Sequence, residues 1–290
     1  MSERRPPGVD PLADAYGHCS ALARAHSRDQ WLGALYAGQD AHGALFALTS
    51  FDYEIRHALK RARDPNLAAI RLSWWREVIR GERPAEAAGS PVAFALGAAI
   101  DAYALPRAWL EAMLDARLWE IAPQDDFNLV AFRAFADESE GARLRLASRI
   151  VAGGQDLDPA SAHAPAGAAL ALRRLLKDLP FKAGSTSTLI PTDAAARHGV
   201  SISDFDARRV SPGVIAACAE LRRLAREELA EAERRLKSSA PEILPAFIPL
   251  GPLRIDLERL DRNSDHPFDP ANEPSPLRRQ WAIWRWARAR

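Results

Sequence analysis

A short run of charged residues in the second half of the chain has the spacing to bind an ion. Arg174, Asp178 and Lys182 follow one another at intervals of four residues, so they share one face if the segment is helical. An aspartate flanked by two cations in this way is better placed for ion pairs within the helix than for holding a metal ion. The segment therefore predicts a charged helix face whose carboxylate is already partnered.

The C-terminal segment has the residue types of an interaction surface. Trp281 and Trp284 are three residues apart, and Ile283 and Trp286 widen the apolar surface. Tryptophan with arginine in a short helix suits contact with an anionic membrane or a partner. It equally suits a helix that docks on its own domain through its tryptophans while the arginines reach solvent. The arginines around these side chains are Arg278, Arg279, Arg285, Arg288 and Arg290.

Other catalytic patterns are absent from the sequence. The histidines lack the spacing of a metal site, and we find no glycine-rich phosphate loop and no serine or cysteine nucleophile motif. Cys19 and Cys218 are far apart in the sequence and form no metal-type spacing, so a reducing compartment is the default expectation. The net charge of +1 gives no sign of nucleic-acid binding. No apolar run reaches the roughly 18 residues of a membrane span.

Helical periodicity dominates the chain, and strand-like alternation is almost absent. We predict one all-α domain over residues 1–290, with disorder at 1–10, a loop at 263–276, an irregular connection at 199–212 and a C-terminal amphipathic helix at 276–290. The predicted helices lie near residues 11–26, 29–37, 41–63, 67–81, 91–103, 106–121, 128–152, 160–182, 211–238, 241–262 and 276–288.

Several segments, in their order and spacing, carry a family resemblance. They are GAALALRRLLKD (Gly167–Asp178), RLSWWREVI (Arg71–Ile79), FRAFADESEGARL (Phe132–Leu144), LIP (Leu189–Pro191) and SPLRRQWAIWRWARAR (Ser275–Arg290). Through them the chain resembles the squalene/phytoene synthase family. The tail resembles that of a divergent branch, which includes the mitochondrial complex I assembly factor built on this fold.

The resemblance implies the isoprenoid (terpenoid) synthase fold, in which antiparallel helices surround a central cavity. In that family two helices carry the acids that hold Mg²⁺ and a prenyl diphosphate. The first acidic signature falls here on Leu59, Lys60 and Arg63, with Asp64 one residue out of register. The second falls on Ala171, Arg174, Asp178 and Lys182. One surviving acid, Asp178, cannot hold a Mg²⁺ cluster. We therefore expect no catalytic residue, no metal site and no cofactor; Mg²⁺ would be the cofactor if the chain were an enzyme.

The basic residues at these positions have two interpretations. They could bind an anionic isoprenoid or lipid directly, because arginine holds phosphate without a metal. They could also be solvated helix faces, partly paired with Asp64 and Asp178. The residues in question are Lys60, Arg63, Arg174 and Lys182.

Three functions remain open at this point. The first, on the resemblance, is a non-catalytic factor for respiratory complex I assembly, with a subunit or assembly protein as partner. The second is an active Mg²⁺-dependent transferase that joins two isoprenyl diphosphates head to head. The third is a non-catalytic binder of an anionic isoprenoid or lipid. For location we expect the cytoplasm, with peripheral contact at the inner face of the inner membrane as a further possibility.

Overall fold

The computed structural model describes residues 10–61, 65–120, 126–157, 161–181, 189–271 and 273–289. These residues form helices and connections, without a strand among them. The predicted all-α class is confirmed. Within these ranges, no helix combines the length and the apolar character needed to cross a bilayer.

The helices follow one another in chain order with mostly short connections. They are α1 (Pro11–His26), α2 (Arg28–Ala34), α3 (Gln39–Arg61), α4 (Pro65–Arg80), α5 (Pro84–Gly89), α6 (Pro91–Ala102), α7 (Arg107–Trp119), α8 (Leu129–Ala136), α9 (Ala142–Val151), α10 (His163–Asp178), α11 (Thr192–Ala196), α12 (Ile202–Asp206), α13 (Pro212–Leu236), α14 (Leu253–Arg262) and α15 (Pro276–Arg288).

Several helices begin with the same local device, a capping side chain followed by proline. The side chain accepts a hydrogen bond from a backbone N–H of the first turn, and proline needs no such partner at the first helical position. The capping residues are Asp10 of α1, Ser90 of α6, Ser211 of α13 and Ser275 of α15. These starts are readable in the sequence, and the first and last predicted helices agree with α1 and α15.

Elsewhere the backbone departs from the predicted helices. The segment predicted as one helix over 128–152 is interrupted by a π-helical turn at Asp137–Gly141, between α8 and α9. The predicted irregular connection 199–212 contains the short helix α12. The segment predicted as a helix from 241 begins as a 3₁₀ segment, Pro241–Leu250, because Pro245 and Pro249 cannot donate α-helical hydrogen bonds.

Helix α10 lies at the centre of the fold. It packs against α13, α8, α9, α14 and the π-helical turn. From Pro165 to Leu172 every residue is buried, and most are alanine or leucine. Small side chains let neighbouring helices approach closely on several sides. The second half of α10 then carries Arg173 and Arg174 into the interior at fixed positions.

Two glycines allow the closest of these approaches. A Cβ atom placed on Gly167 of α10 would lie 2.6 Å from the backbone N of Gly141 and 2.9 Å from its Cα atom. Real Cβ atoms do not come this close to backbone, so only glycine fits at position 167. The contact fixes α10 against the π-helical turn.

We therefore expect Gly167→Ala to destabilise the fold by about 1–3 kcal/mol, because the backbone of one helix must shift to admit the methyl group. Gly97→Ala in α6 is the matched control, since no atom lies within 4 Å of its added Cβ. The control should be neutral or stabilised by up to about 1 kcal/mol. Denaturant midpoints for both variants test this, and equal midpoints would show that the approach is not tight.

Candidate functional site

Charged side chains from five parts of the fold converge beside the second half of α10. They come from α3, the end of α7, the π-helical turn, α9 and α10 itself. We call this group the arginine–carboxylate cluster. Its members are Asp52, Arg56, Arg117, Glu120, Glu140, Arg143 and Arg174.

Glu140 lies at the centre of the arginine–carboxylate cluster. Its Oε1 accepts hydrogen bonds from Nη1 of Arg174 at 3.2 Å and from Nη1 of Arg56 at 3.4 Å. Its Oε2 accepts from Nε of Arg143 at 3.0 Å. One carboxylate thus joins three guanidinium groups from α3, α9 and α10. The π-helical turn makes this possible, because its extra residue per turn changes the direction in which Glu140 points.

Glu120 forms a second junction, just beyond the end of α7. It accepts from Nη1 of Arg117 at 2.5 Å and from Nη2 of Arg174 at 3.4 Å. Arg117 is 1% exposed, and its guanidinium lies over the ring of Phe135 with 5.6 Å to the ring centroid. Arg174 therefore bridges Glu120 and Glu140.

Asp52 and Arg56 supply the α3 side of the cluster. They are four residues apart and pair with each other, while Arg56 also reaches Glu140. The family's first acidic signature was expected about two helical turns further on, at Leu59, Lys60 and Arg63. The available signal was the i, i+4 spacing of Asp52 and Arg56, which is the spacing of an ion pair within a helix.

Within the cluster, burial and neighbouring charges shift pKa values in opposite directions. Burial alone would raise the pKa of the Glu140 carboxyl, but Arg143, Arg56, Arg174 and Arg117 together hold that pKa well below its usual range. Burial lowers the pKa of the Arg117 guanidinium to about 10, and Glu120 opposes that shift. Glu140 and Arg117 are therefore both charged near neutral pH.

The other residues predicted for this site have separate outcomes. Arg174 pairs with Glu120 and Glu140 rather than with Asp178, whose carboxylate acts on Arg174 only at longer range. The side chains of Leu59 and Lys60, and all of Arg63, Asp64 and Lys182, lie outside the described residues.

The donor set described at this site does not fit a magnesium cluster. Each carboxylate of the cluster is bound by at least one guanidinium group, and four arginines stand against three acids. Mg²⁺ binds hard oxygen ligands, and in this cluster the guanidinium groups compete with a metal for the carboxylate oxygens. Throughout the described part of the chain, no group of three or more His, Cys, Asp or Glu side chains could hold a metal ion.

A second set of ion pairs attaches α15 to the domain. Arg279 pairs with Asp29 of α2 and, at 2.8 Å, with Asp256 of α14. Arg173 of α10 also reaches Asp256, at 3.0 Å. Burial would raise the pKa of Asp256, but Arg173 and Arg279 hold it below its usual range. We call these four residues the docking cluster.

The residues predicted to contact a membrane or partner lie on two different sides of α15. Arg279 and Trp286 face the domain, and Trp286 is buried together with Ile283. Trp281 and Trp284 are exposed, as is Arg278. The docked side of the helix agrees with the docking interpretation, while contact of the exposed side with a membrane or partner stays a prediction.

Comparison with known proteins places this architecture in a family. A sequence model of the squalene/phytoene synthase family matches residues 23–285. The chain belongs to the squalene/phytoene synthase family, as the sequence motifs predicted.

Individual relatives divide into two kinds. NADH dehydrogenase (ubiquinone) complex I, assembly factor 6, from Mus musculus is 22% identical over 88% of this chain and 76% of its own length. Squalene synthase HpnC from Alicyclobacillus acidocaldarius has a TM-score of 0.72 at 18% identity, over 89% of this chain and 97% of that one. A ligand-bound dehydrosqualene synthase has a TM-score of 0.80 at 14% identity, over 97% and 99%. The structural neighbours confirm the isoprenoid synthase fold.

We expect Glu140→Gln to destabilise the protein by about 3–5 kcal/mol, because it leaves one buried and two partly buried guanidinium groups without their shared counter-charge. Glu227→Gln is the control. Glu227 pairs with Arg223 on the exposed side of α13 and should change stability by less than about 1 kcal/mol. Chemical denaturation at neutral pH measures both.

The same variant tests the pKa of Glu140. Since folding lowers this pKa, the stability that it contributes is present above the unfolded value of about 4.3 and is lost as the pH falls below it. The wild type should therefore lose stability more steeply than Glu140→Gln under acid conditions. Parallel stability curves below about pH 4.3 would contradict the assignment.

Proposed function

We propose that this chain is a squalene/phytoene synthase-family protein that no longer condenses prenyl diphosphates and acts as an assembly-type factor for respiratory complex I. The arginine–carboxylate cluster carries the first half of the proposal. The acids gathered beside α10, namely Asp52, Glu120 and Glu140, are each bound to arginine from the same or another structural element.

The chemistry of head-to-head condensation explains why this matters. Loss of an allylic diphosphate leaves a highly charged group, and Mg²⁺ held by several free carboxylates stabilises it. In this chain, guanidinium groups already neutralise Asp52, Glu120 and Glu140. Metal binding at these acids would break buried ion pairs, at a cost of several kcal/mol.

The second half of the proposal rests on similarity to a relative named as a complex I assembly factor. Its partner would be a subunit or assembly protein of the respiratory complex, met in the cytoplasm or at the inner face of the inner membrane.

The catalytic half of the proposal predicts no product from purified protein. The protein is incubated with farnesyl or geranylgeranyl diphosphate, Mg²⁺ and NADPH, and the extract is analysed by mass spectrometry. A C30 or C40 hydrocarbon, or its cyclopropyl diphosphate precursor, would overturn the non-catalytic assignment and favour the transferase. A known squalene synthase run in parallel is the positive control.

The assembly half is tested separately, by deleting the gene in the organism that carries it. We expect less assembled complex I on native gels and a matching fall in NADH:quinone activity, both restored by the wild-type gene. Unchanged complex I would reject the assembly role without affecting the enzymatic result.

A second function is favoured by one specific observation in the arginine–carboxylate cluster. Nε of Arg117 and Nη2 of Arg143 are buried and have no hydrogen-bond partner among the described residues. Buried donors of charged groups are costly to leave unpaired, so an acceptor is expected at such positions. A phosphate oxygen of an isoprenoid or lipid would satisfy them without a metal.

This second function predicts stabilisation by a diphosphate in the presence of EDTA. Farnesyl diphosphate at one hundred times its Kd should raise the Tm by roughly 5 °C. Farnesol, which lacks the anionic head, should have a much smaller effect. Equal shifts from both ligands, or no shift from the diphosphate, would exclude the arginines as its binding site.

A further inference from the structure

One side of α15 remains exposed after the helix has docked on the domain. Leu277, Trp281 and Trp284 are 78%, 55% and 44% exposed. Their spacing of four and then three residues places them, with Arg288, along a single side of the helix. We call these four residues the outward face of α15.

The opposite side of the helix fixes this orientation. Arg279 enters the docking cluster, and Ile283 and Trp286 are buried against the 3₁₀ segment and its end. A Cβ atom on Gly251 would lie 3.1 Å from Cα of Ile283 and 3.1 Å from Cβ of Trp286, so the helix is seated close to backbone. Rotation that buried Trp281 and Trp284 would expose a paired arginine and a buried tryptophan.

The outward face is bordered by positive charge. Helix α15 contains no acidic residue. The guanidinium of Arg285 lies 4.8 Å from the ring centroid of Trp281, and that of Arg288 lies 4.7 Å from the ring centroid of Trp284. Each exposed tryptophan therefore carries a cation on its ring face, in an arrangement that brings apolar and basic groups to one surface.

A groove beside α15 extends this basic border. Its volume is about 850 Å³, and its lining includes Lys237, Arg254, Arg278 and Arg285. Two acids also line it. Glu233 pairs with Arg254 at 2.5 Å, and Glu258 lies 3.6 Å from Arg278. The groove thus has more cations than anions, and Arg285 joins it to the outward face.

We propose that the outward face of α15 binds the surface of a bilayer that contains anionic lipids. Tryptophan favours the interface between headgroups and acyl chains, where its ring is buried and its N–H stays hydrated. Arginines at the same level pair with lipid phosphates. Leu277 at the start of the helix adds apolar surface on the same side. The helix would lie along the membrane and not cross it.

The chemistry favours a membrane over an acidic protein as the occupant. The exposed side chains of the outward face form a single convex row along one helix, and the groove beside it has more cations than anions. A bilayer surface has anionic headgroups over an apolar layer of acyl chains, and basic groups around exposed tryptophan match both. This inference does not depend on the role in complex I assembly, and the test below succeeds or fails independently of it.

Vesicle cosedimentation tests the proposal with the full chain. We expect binding to phosphatidylcholine vesicles that contain about 30% phosphatidylglycerol, and much weaker binding to phosphatidylcholine alone. Trp281→Ser combined with Trp284→Ser should weaken binding at least about tenfold. Replacing Arg278, Arg285 and Arg288 by glutamine should weaken it roughly 100-fold and remove most of the salt dependence.

Matched controls separate this surface from general stickiness. Leu67→Ser with Ile70→Ser removes two exposed apolar side chains from α4, which are 59% and 65% exposed. Replacing the exposed Arg209, Arg223 and Arg234 by glutamine removes the same charge elsewhere. Neither control should change binding, and all variants should keep the wild-type Tm. Failure of the wild type to bind anionic vesicles, or equal losses in the controls, would overturn the proposal and leave a protein as the occupant.

Discussion

The interior of this protein depends on one carboxylate, that of Glu140. Arg56, Arg143 and Arg174 belong to three different helices, and each would be costly to bury without a counter-charge. Glu140 compensates all three at once, with Glu120 sharing Arg174 and Asp52 sharing Arg56. The arrangement of α3, α9 and α10 around the site is therefore held by electrostatics as well as by apolar packing.

Local backbone features bring Glu140 to this position. The π-helical turn redirects its side chain, and the glycine contact between positions 141 and 167 sets the distance from α10. Arg174 lies seven residues after Gly167, about two turns along the same side of the helix. The close backbone contact at Gly167 thus determines that Arg174, two turns further along α10, meets Glu140.

The same fold can serve different chemistry, because the side chains that line its interior can change while the arrangement of helices is kept. The structural neighbours named as synthases share the arrangement of helices with this chain at identities of 14% and 18%. In this chain the interior of that arrangement is occupied by paired charges. Ion pairing also attaches α15, whose inner side is used for docking and whose outer side presents tryptophan and arginine. Arginine is central to both sites. In the arginine–carboxylate cluster it connects helices, and in the docking cluster it holds α15 in place.

The sequence by itself determined the helical class, the family and the ends of helices such as α1 and α15. The class and the helix starts depend on local signals, namely the apolar period and capping residues next to proline. The family came from motifs in their order along the chain. The tertiary structure decided which charges meet. Arg56 and Glu140 are 84 residues apart, and Arg279 and Asp29 are 250 apart. Spacing along one helix predicted an ion pair between Arg174 and Asp178, but packing brought closer partners to Arg174 from other helices. The tertiary structure also decided which side of α15 is buried, because that depends on the surface against which the helix docks.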